Sequence, residues 1–304
     1  LDSIKIASYC LDRWTDLVEY TPEEEIRRML KAYNRQYDQY MKLKVMLKNN
    51  LISLLDQTFP GINSLFQSSP RKSDGHEKWV DFTLKFWHCE SVTNVSQKSF
   101  AERYQRWCKK SGYNYSATKA QTIYSFAAEI ISTLPKIDAV RQLIINAIAQ
   151  LNTITETLSA TQREMLRLAS QLPECPVIMQ MFGVGETLGP QLIAEIGDVR
   201  RFERKQSLGA LAGVDAPPYQ SRTFEAKKRN ISKRGSPFLR KTLFQIMKTY
   251  LQHAPVNEPM YQFLDRKRNE GKNYYVYMMS GANKFLRIYC GTVMAYLKQL
   301  DSAS

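Results

Sequence analysis

Apolar side chains recur at alternating spacings of four and three residues in two long stretches of the chain. The first stretch runs from Ile26 to Leu54 and the second from Ile137 to Leu172. This spacing is the heptad pattern of a coiled coil, in which each helix buries its apolar seam against a partner. The pattern predicts two long helices that pair with each other or with copies in another protomer. The second seam consists of Ile137, Val140, Ile144, Ala147, Leu151, Ile154, Leu158, Thr161, Met165, Leu168 and Leu172.

The residues between the two seams, about 60–134, have the pattern of a compact helical insert. Aromatic and apolar side chains recur there at three- and four-residue spacing, which is typical of a helix that faces a core. Arg103 and Arg106 alternate with aromatic residues, a combination that can stack on single-stranded RNA. Core packing is the favoured interpretation of the aromatic positions. These are Trp79, Phe82, Phe86, Trp87, Phe100, Tyr104 and Trp107.

The C-terminal part of the chain, residues 173–304, is also predicted to be helical. Gly183-Val184-Gly185 lies between an apolar turn and a helical pattern, an order that predicts a helix-hairpin-helix. Ser236-Pro237 has the composition of a helix start, and residues 274–300 form one more amphipathic pattern. The sequence therefore predicts a mainly α-helical fold.

Composition and charge narrow the possible partners. The chain has 304 residues, 43% of them hydrophobic, and a formal net charge of +14, which favours nucleic acid as the partner. No apolar run approaches the roughly 20 residues of a membrane-spanning helix, so a non-membrane protein is predicted. The cysteines are dispersed without a C-x-x-C pair, which indicates reduced thiols and a cytosolic location. His88-Cys89 with Cys108 lacks the paired spacing and the fourth ligand of a zinc site.

The segment from Arg200 to Arg240 carries the candidate site. It holds eleven Lys or Arg residues against three acids, an excess that attracts a polyanion. Upstream of it, Gly183 and Gly185 allow a close backbone approach to phosphate. Ser221 stands between Pro217-Pro218 and a basic run, where a nucleophile would meet a phosphate; a turn residue on a solvated loop is the competing interpretation. The candidate phosphate contacts are Arg200, Arg201, Lys227, Lys228, Arg229, Lys233, Arg234 and Arg240.

Several short motifs occur in a recognisable order along this segment. They are G-V-G at 183–185, L-I-A-E-I-G-D-V-R-R-F from Leu192, L-A-G-V from Leu211, a loop serine, and I-S-K-R-G-S-P-F-L-R from Ile231. This order resembles the C-terminal domain of the DEDD insertion-sequence transposases of the insertion sequence one-ten group. Members of that family join a RuvC-like α/β domain to a serine-bearing domain through a coiled coil. The family commonly has glycine after the serine, whereas Arg222 follows Ser221 here.

The resemblance implies a domain order for the chain. Residues 1–20 would be the end of the RuvC-like domain, 21–172 the coiled-coil stalk with its insert, and 173–304 the transposase domain. The opening Asp2-Ser3 with Ile6-Ala7 resembles the family segment that supplies the last metal-binding acid. Asp2 would then be one ligand of a divalent cation, expected to be Mg²⁺, with three earlier acids upstream of residue 1. A helix N-cap at Asp2 is equally compatible with the local sequence.

The same resemblance implies the function. Ser221 would attack DNA and form a phosphoserine intermediate, and a structured bridge RNA would pair with target and donor DNA. The protein would act as a homo-oligomer, a dimer or a tetramer, in the nucleoid-containing cytoplasm of a bacterium or archaeon. Because the upstream acids lie outside it, this chain alone is expected to bind nucleic acid without recombining it. The alternative is a non-catalytic nucleic-acid-binding scaffold.

Overall fold

The fold was analysed in a computed structural model that describes residues 2–16, 24–71, 73–216, 220–221, 224–225 and 230–303, with the backbone alone at 220–221 and 224–225. The described chain is mainly α-helical, as predicted, with one short antiparallel strand pair. Its helices are α1 (Asp2–Asp12), α2 (Glu25–Leu55), α3 (Lys78–Lys85), α4 (Glu90–Thr93), α5 (Gln97–Lys110), α6 (Ala117–Ala128), α7 (Asp138–Ala169), α8 (Cys175–Met179), α9 (Gly185–Ile196), α10 (Ser207–Ala212), α11 (Pro237–His253), α12 (Pro259–Asn269) and α13 (Tyr274–Ala303), and its strands are β1 (Gln220–Ser221) and β2 (Phe224–Glu225).

The chain divides into two compact units. The first comprises residues 1–31 and 168–304, and the second comprises residues 32–167. The unit boundaries fall inside α2 and α7, because each of these long helices contributes residues to both units. Within the described residues, no helix combines the length and the apolarity that crossing a bilayer requires.

The core of the second unit is built around aromatic side chains of the insert. Phe82 lies at its centre, with its ring 4.8 Å from that of Phe86, 5.5 Å from that of Trp107 and 6.0 Å from that of Tyr104. All seven aromatic positions assigned to a core from their spacing are buried. The C-terminal part of α2 and the first half of α7 pack into the same cluster. The aromatic side chains therefore stabilise the fold, and the core interpretation is confirmed.

The predicted seam of α7 is buried along nearly its whole length. Every seam position from Val140 to Leu172 is buried, including Thr161, whose hydroxyl donates to the Thr157 carbonyl at 2.8 Å. Ile137 is the exception, with 52% of its surface exposed, because it precedes the first turn of the helix. The spacing thus identified the buried face of this helix, while the coiled-coil pairing stays a prediction.

The buried face of α2 differs from its predicted seam. The heptad pattern that runs from Ile26 to Leu54 includes Tyr33 and Tyr37 as inward positions, but the buried positions are Asn34 and Asp38, one residue further on, and the tyrosines are half-buried. A straight helix has 3.6 residues per turn, so its inward face drifts away from a strict seven-residue repeat. Asp38 is paired with Lys42 at 2.8 Å. A seam inferred from apolar residues alone missed these buried polar groups.

A bidentate ion pair fixes the loop that leads into α3. Arg71 donates from Nε to Asp74 Oδ1 at 2.9 Å and from Nη2 to Asp74 Oδ2 at 2.5 Å. A third guanidinium nitrogen donates to the Ser111 carbonyl at 2.8 Å. The loop is thereby tied to the end of α5. The hydrogen bonds from Arg71, assisted by the backbone amide of His76, lower the pKa of Asp74 to about 2.

The lowered pKa of Asp74 makes the stability of the fold depend on pH. Because the folded pKa lies below the unfolded value of about 3.9, the pair stabilises the fold above pH 4 and loses this effect as the pH falls through 2. Both side chains are partly exposed, so the contribution is expected to be about 1 kcal/mol or less. In Arg71→Ala, NMR titration of the Asp74 carboxyl should give a midpoint near 4. A midpoint that stays at 2 would show that another group lowers this pKa.

The core of the first unit is formed by α9, α11, α12 and α13. Leu243, Ile246 and Met247 on α11 are fully buried, as the helical pattern predicted. A Cβ atom at Gly281 of α13 would lie 2.5 Å from Leu264 Cδ2 and 2.8 Å from Met247 Sδ. Glycine at this position therefore allows α13 to approach both α11 and α12 closely. These helices form the support on which the candidate site stands.

Candidate functional site

The G-V-G turn lies between α8 and α9, and its two glycines have different surroundings. Both have a positive φ, 78° at Gly183 and 56° at Gly185, a conformation that favours glycine. A Cβ atom at Gly183 would lie 3.6 Å from the carbonyl oxygen of Ile246, so this residue packs against α11. At Gly185 the same position has no atom within 4 Å. Only Gly185 therefore offers the open backbone that the sequence predicted for both.

The start of α9 is also earlier than its sequence suggested. Threonine is a common helix cap, so the sequence suggests a helix that starts after Thr187, but the helix begins at Gly185 with Val184 as its N-cap residue and no side-chain cap. Pro190 accordingly lies inside the helix, beyond the first turn. A Cβ atom at Gly189 would lie 2.6 Å from Met179 Sδ, so glycine there allows α9 to pack closely on α8. Gly197, with φ 67°, ends the helix as predicted.

Two separated segments, residues 211–215 and 232–236, are hydrogen-bonded side by side, and we call them the strap. Ser232 N donates to the Asp215 carbonyl at 2.8 Å, and Lys233 N donates to the Gly213 carbonyl at 3.1 Å. The Ser232 hydroxyl donates to Asp215 Oδ1 at 2.5 Å. At Gly235 a Cβ atom would lie 2.1 Å from the Leu211 carbonyl oxygen. The backbones therefore meet at a distance that only glycine allows.

The strap closes the base of the hairpin that carries Ser221. The strands β1 and β2 are antiparallel, with Gln220 opposite Glu225 and Ser221 opposite Phe224. Ser221 is thus the last residue of β1. Its side chain lies outside the described residues, as do Arg222, Lys227, Lys228 and Arg229.

A second serine in this region donates to a buried carboxylate. The Ser236 hydroxyl donates to Glu195 Oε2 at 2.7 Å and accepts the Leu239 amide at 3.1 Å as the N-cap of α11. Glu195 lies on α9 among buried residues. The bond joins the end of α9 to the start of α11. The sequence does not single out Glu195, because one acid in an apolar helix gives no sign of its partner.

Arg200 and Arg201 both have internal partners. The Arg200 guanidinium holds Asp198 at 2.9–3.1 Å. Burial disfavours the charge of Asp198, but the hydrogen bonds from Arg200 outweigh that effect and lower its pKa. Arg201 donates to the Ile196 carbonyl at 2.8 Å, at the C-terminal end of α9, where a cation is favourable. Arg201 therefore stabilises the end of α9, and Arg200 stabilises the short turn that follows it.

One cation of the strap region bonds within the protein, and two others face solvent. Arg240 is half-buried and donates to the Ala212 carbonyl at 2.8 Å, so it holds the strap to α11. Lys233 and Arg234 are exposed. Lys233 has a φ of 53°, a left-handed conformation that is unusual for a residue with a side chain. These two are the described cations that face solvent at the base of the Ser221 hairpin.

The G-V-G turn and the strap lie at different points along α11. Gly183 packs against Ile246 and Thr249, whereas the strap ends at Ser236. Ten residues of helix separate Ser236 from Ile246, a length of about 15 Å at 1.5 Å per residue. The glycine turn and the strap therefore lie against different parts of α11.

Asp2 has no partner acids in the described part of the chain. It is exposed at the start of α1, a helix without a buried residue. Among the described residues, no group of three or more His, Cys, Asp or Glu side chains is arranged to hold a metal ion. A catalytic divalent cation needs several oxygen ligands. The residues described here therefore do not fit a metal centre.

A second basic surface lies on the insert, in the second unit. Lys85 of α3 and Arg103, Arg106 and Lys110 of α5 line a cleft of about 820 Å³, which we call the cationic cleft. The three α5 residues share one helix face because they are spaced by three and four. Asp81 also lines the cleft, but it is held by Arg71 at 3.4 Å, by His76 at 3.3 Å and by the Tyr113 hydroxyl at 2.6 Å. The four cations therefore dominate the charge of the cleft.

Comparison with known proteins points to one family for the segment around the strap. Residues 175–262 match the family model described as the transposase IS116/IS110/IS902 family. The chain is also similar to a protein of Sinorhizobium fredii (strain NBRC 101917 / NGR234) named "Putative transposase y4rJ", with 31% identity over 101 residues. That alignment covers 33% of this chain and 25% of the relative. The match to the family model thus runs from α8 to the first turn of α12 and includes the G-V-G turn, the strap and the Ser221 hairpin.

Proposed function

We propose that this chain is part of an insertion-sequence transposase that cuts and rejoins DNA through a phosphoserine intermediate on Ser221. The observation that carries the proposal is the match of residues 175–262 to a transposase family. The strap supports it, because it holds the base of the serine hairpin by backbone hydrogen bonds on both sides. Anchoring both ends of the segment that carries Ser221 restricts where a nucleophile on that segment can lie.

The proposed reaction is a transfer of a phosphoryl group between hydroxyls. Ser221 Oγ forms a bond to phosphorus, the bond from phosphorus to the leaving strand oxygen breaks, and the serine proton ends on that oxygen. In the second step the hydroxyl of another strand attacks the phosphoserine and releases Ser221 with its proton restored. The phosphodiester energy is kept in the covalent intermediate. Lys233 and Arg234 would neutralise the nonbridging oxygens.

DNA, a structured bridge RNA and a second protomer are the proposed partners, and the cytoplasm is the proposed location. The cationic cleft supports RNA binding, because Lys85, Arg103, Arg106 and Lys110 present four positive charges on one surface of the insert. Recognition of structured RNA depends mainly on backbone and shape contacts. The buried seam of α7 is the surface on which pairing of helices was predicted.

A non-catalytic nucleic-acid-binding scaffold is the second candidate function. The observation that favours it is the lack, among the described residues, of an acid group that could hold a catalytic cation. Hydroxyls are weak nucleophiles at neutral pH without such activation. Formation of a denaturation-resistant adduct between protein and DNA separates the two functions, because a scaffold forms none.

Both functions predict that Lys227, Lys228 and Arg229 contact phosphates. Changing all three to alanine should reduce the slope of log affinity against log salt by about 2 to 3, since each phosphate contact contributes roughly 0.7 to 0.9. Fluorescence anisotropy with labelled DNA at increasing salt measures this slope.

A matched control for this prediction exists on α12. Arg266, Lys267 and Arg268 are also three consecutive cations, and they pair with Glu270 and Asp265. Their replacement by alanine should leave the slope unchanged. Equal slopes for the wild type and the 227–229 variant would contradict the assignment of the basic run to phosphate binding.

A further inference from the structure

A cavity of about 510 Å³ lies in the first unit, beside the strap and the residues that flank the segment containing Ser221. One wall is formed by the flanks of the hairpin, with Ala216 on the outgoing side and Asn230 on the returning side. The opposite wall is formed by α13, with Tyr275, Met279 and Asn283. Lys233 of the strap stands at the same cavity. The cavity is therefore continuous with the base of the proposed nucleophile loop.

The aromatic wall of the cavity is open to solvent. Tyr275 exposes 66% of its surface, although its ring is stacked on that of Phe244 with 6.1 Å between centroids and 24° between planes. Val276, the next residue, is also exposed. A planar side chain held by a neighbouring ring is a ready surface on which a second planar group can stack.

The cavity also presents amide groups that are not hydrogen-bonded in the described structure. Asn283 is half-buried and packs beside Gly209, where a Cβ atom would lie 3.3 Å from its Oδ1. In the part of the chain that the structure describes, the side-chain amides of Asn283 and Asn230 have no hydrogen-bond partner. An amide donates and accepts at once, so these groups can pair with the polar edge of a flat ligand.

From these features we propose that the cavity receives one unstacked nucleobase of the DNA strand held at the Ser221 hairpin. The inference rests on the proposed function and deepens it by naming a base-binding subsite. An extruded nucleotide is recognised by three kinds of group: an aromatic surface that stacks on the face of the base, amides that pair with its edge, and a cation that binds the adjacent phosphate. An apolar peptide would satisfy neither the amides nor Lys233.

Binding of one base here would fix the strand next to the nucleophile. The base occupies the space between the hairpin flanks and α13, so its own phosphate is held at the base of the hairpin. The energy of unstacking is lowest for a mismatched or single-stranded base. The subsite therefore favours DNA that is already opened, and it makes strand joining dependent on the base at that position.

The subsite is tested with the complete chain and two single-stranded DNA probes of equal length and charge. One probe carries thymine at every position, and the other has abasic sites at all positions except the ends. The wild-type protein should bind the base-bearing probe more tightly. Tyr275→Ala should lower its affinity for that probe by roughly fivefold or more, as expected for the loss of base stacking, and should leave the abasic probe unaffected. Asn283→Leu should reduce the same preference.

Tyr9→Ala is the matched control, because Tyr9 has a similar exposure of 57% and lies on α1. Its preference for the base-bearing probe should equal that of the wild type. An unchanged preference in Tyr275→Ala, with circular dichroism showing a folded protein, would overturn the proposal. If Tyr275 determines the preference but no serine adduct ever forms, the proposed function fails and the base subsite stands.

Discussion

Arg27→Ala is expected to lower the free energy of unfolding by about 3–5 kcal/mol, because it leaves a buried carboxylate without its partner. Arg27 Nη1 lies 2.5 Å from Glu174 Oε1, and each side chain exposes only 3% of its surface. Burial opposes the charge of Arg27, but the hydrogen bond and the charge of Glu174 outweigh it, so the pKa of Arg27 is raised. Tyr289 is buried beside this pair, and burial raises its pKa as well.

Two control variants separate the effect of losing an ion pair from the effect of leaving one buried charge without a partner. Arg200→Ala breaks a largely exposed pair with Asp198 and should cost about 1 kcal/mol or less. Arg27→Met combined with Glu174→Leu removes both charges and should be much less destabilising than Arg27→Ala alone. Urea unfolding followed by far-UV circular dichroism measures all three. A cost of Arg27→Ala no larger than that of Arg200→Ala would show that the pair is not buried in solution.

Gly235→Ala is expected to open the strap, with a cost of about 3 kcal/mol as in severe overpacking. An added Cβ would lie 2.1 Å from the Leu211 carbonyl oxygen, 2.4 Å from that of Ala210 and 2.5 Å from the Gly213 nitrogen. All three are backbone atoms, so no side-chain rotation relieves the contact. The two segments must separate, and the base of the Ser221 hairpin loses its fixed position.

Hydrogen–deuterium exchange shows where this change acts. Amides of Ser232, Lys233 and Ser236, which donate within the strap, should exchange faster in Gly235→Ala, while peptides of the insert keep their protection. Gly271→Ala is the control, because Gly271 has a φ of 71° but open space around the added Cβ. It should cost about 1 kcal/mol from backbone strain alone and leave the strap protected. Unchanged exchange at Ser236 in Gly235→Ala would contradict the account of the strap.

The sequence predicted those parts of the fold that depend on the period of apolar residues. The buried face of α7 and the aromatic core of the insert followed from spacing alone, because a helix of regular period buries a regular set of positions. The inward face of α2 did not follow, since Asn34 and Asp38 are buried with polar partners. A pattern of apolar residues contains no information about where a polar side chain finds its partner.

The sequence predicted which segment carries the candidate site, but it did not predict the roles of the cations in that segment. Arg201 and Arg240 donate to the backbone carbonyls of Ile196 and Ala212, contacts that join residues brought together only by folding. The same holds for Ser236 and Glu195, 41 positions apart. The sequence did contain one sign of the strap. Gly213 and Gly235 flank the serine loop, and glycine at both positions is compatible with a close approach of the two backbone segments.

The most direct test of the central claim is to trap and map the covalent adduct. The chain, joined to the acid-bearing domain that the family resemblance implies, is incubated with Mg²⁺, the structured RNA of its own insertion sequence, and donor and target DNA. After denaturation, the account predicts DNA attached to the tryptic fragment 206–222, which carries Ser207 and Ser221, and loss of the adduct in Ser221→Ala but not in Ser207→Ala. An adduct that persists in Ser221→Ala and disappears in Ser236→Ala would contradict it.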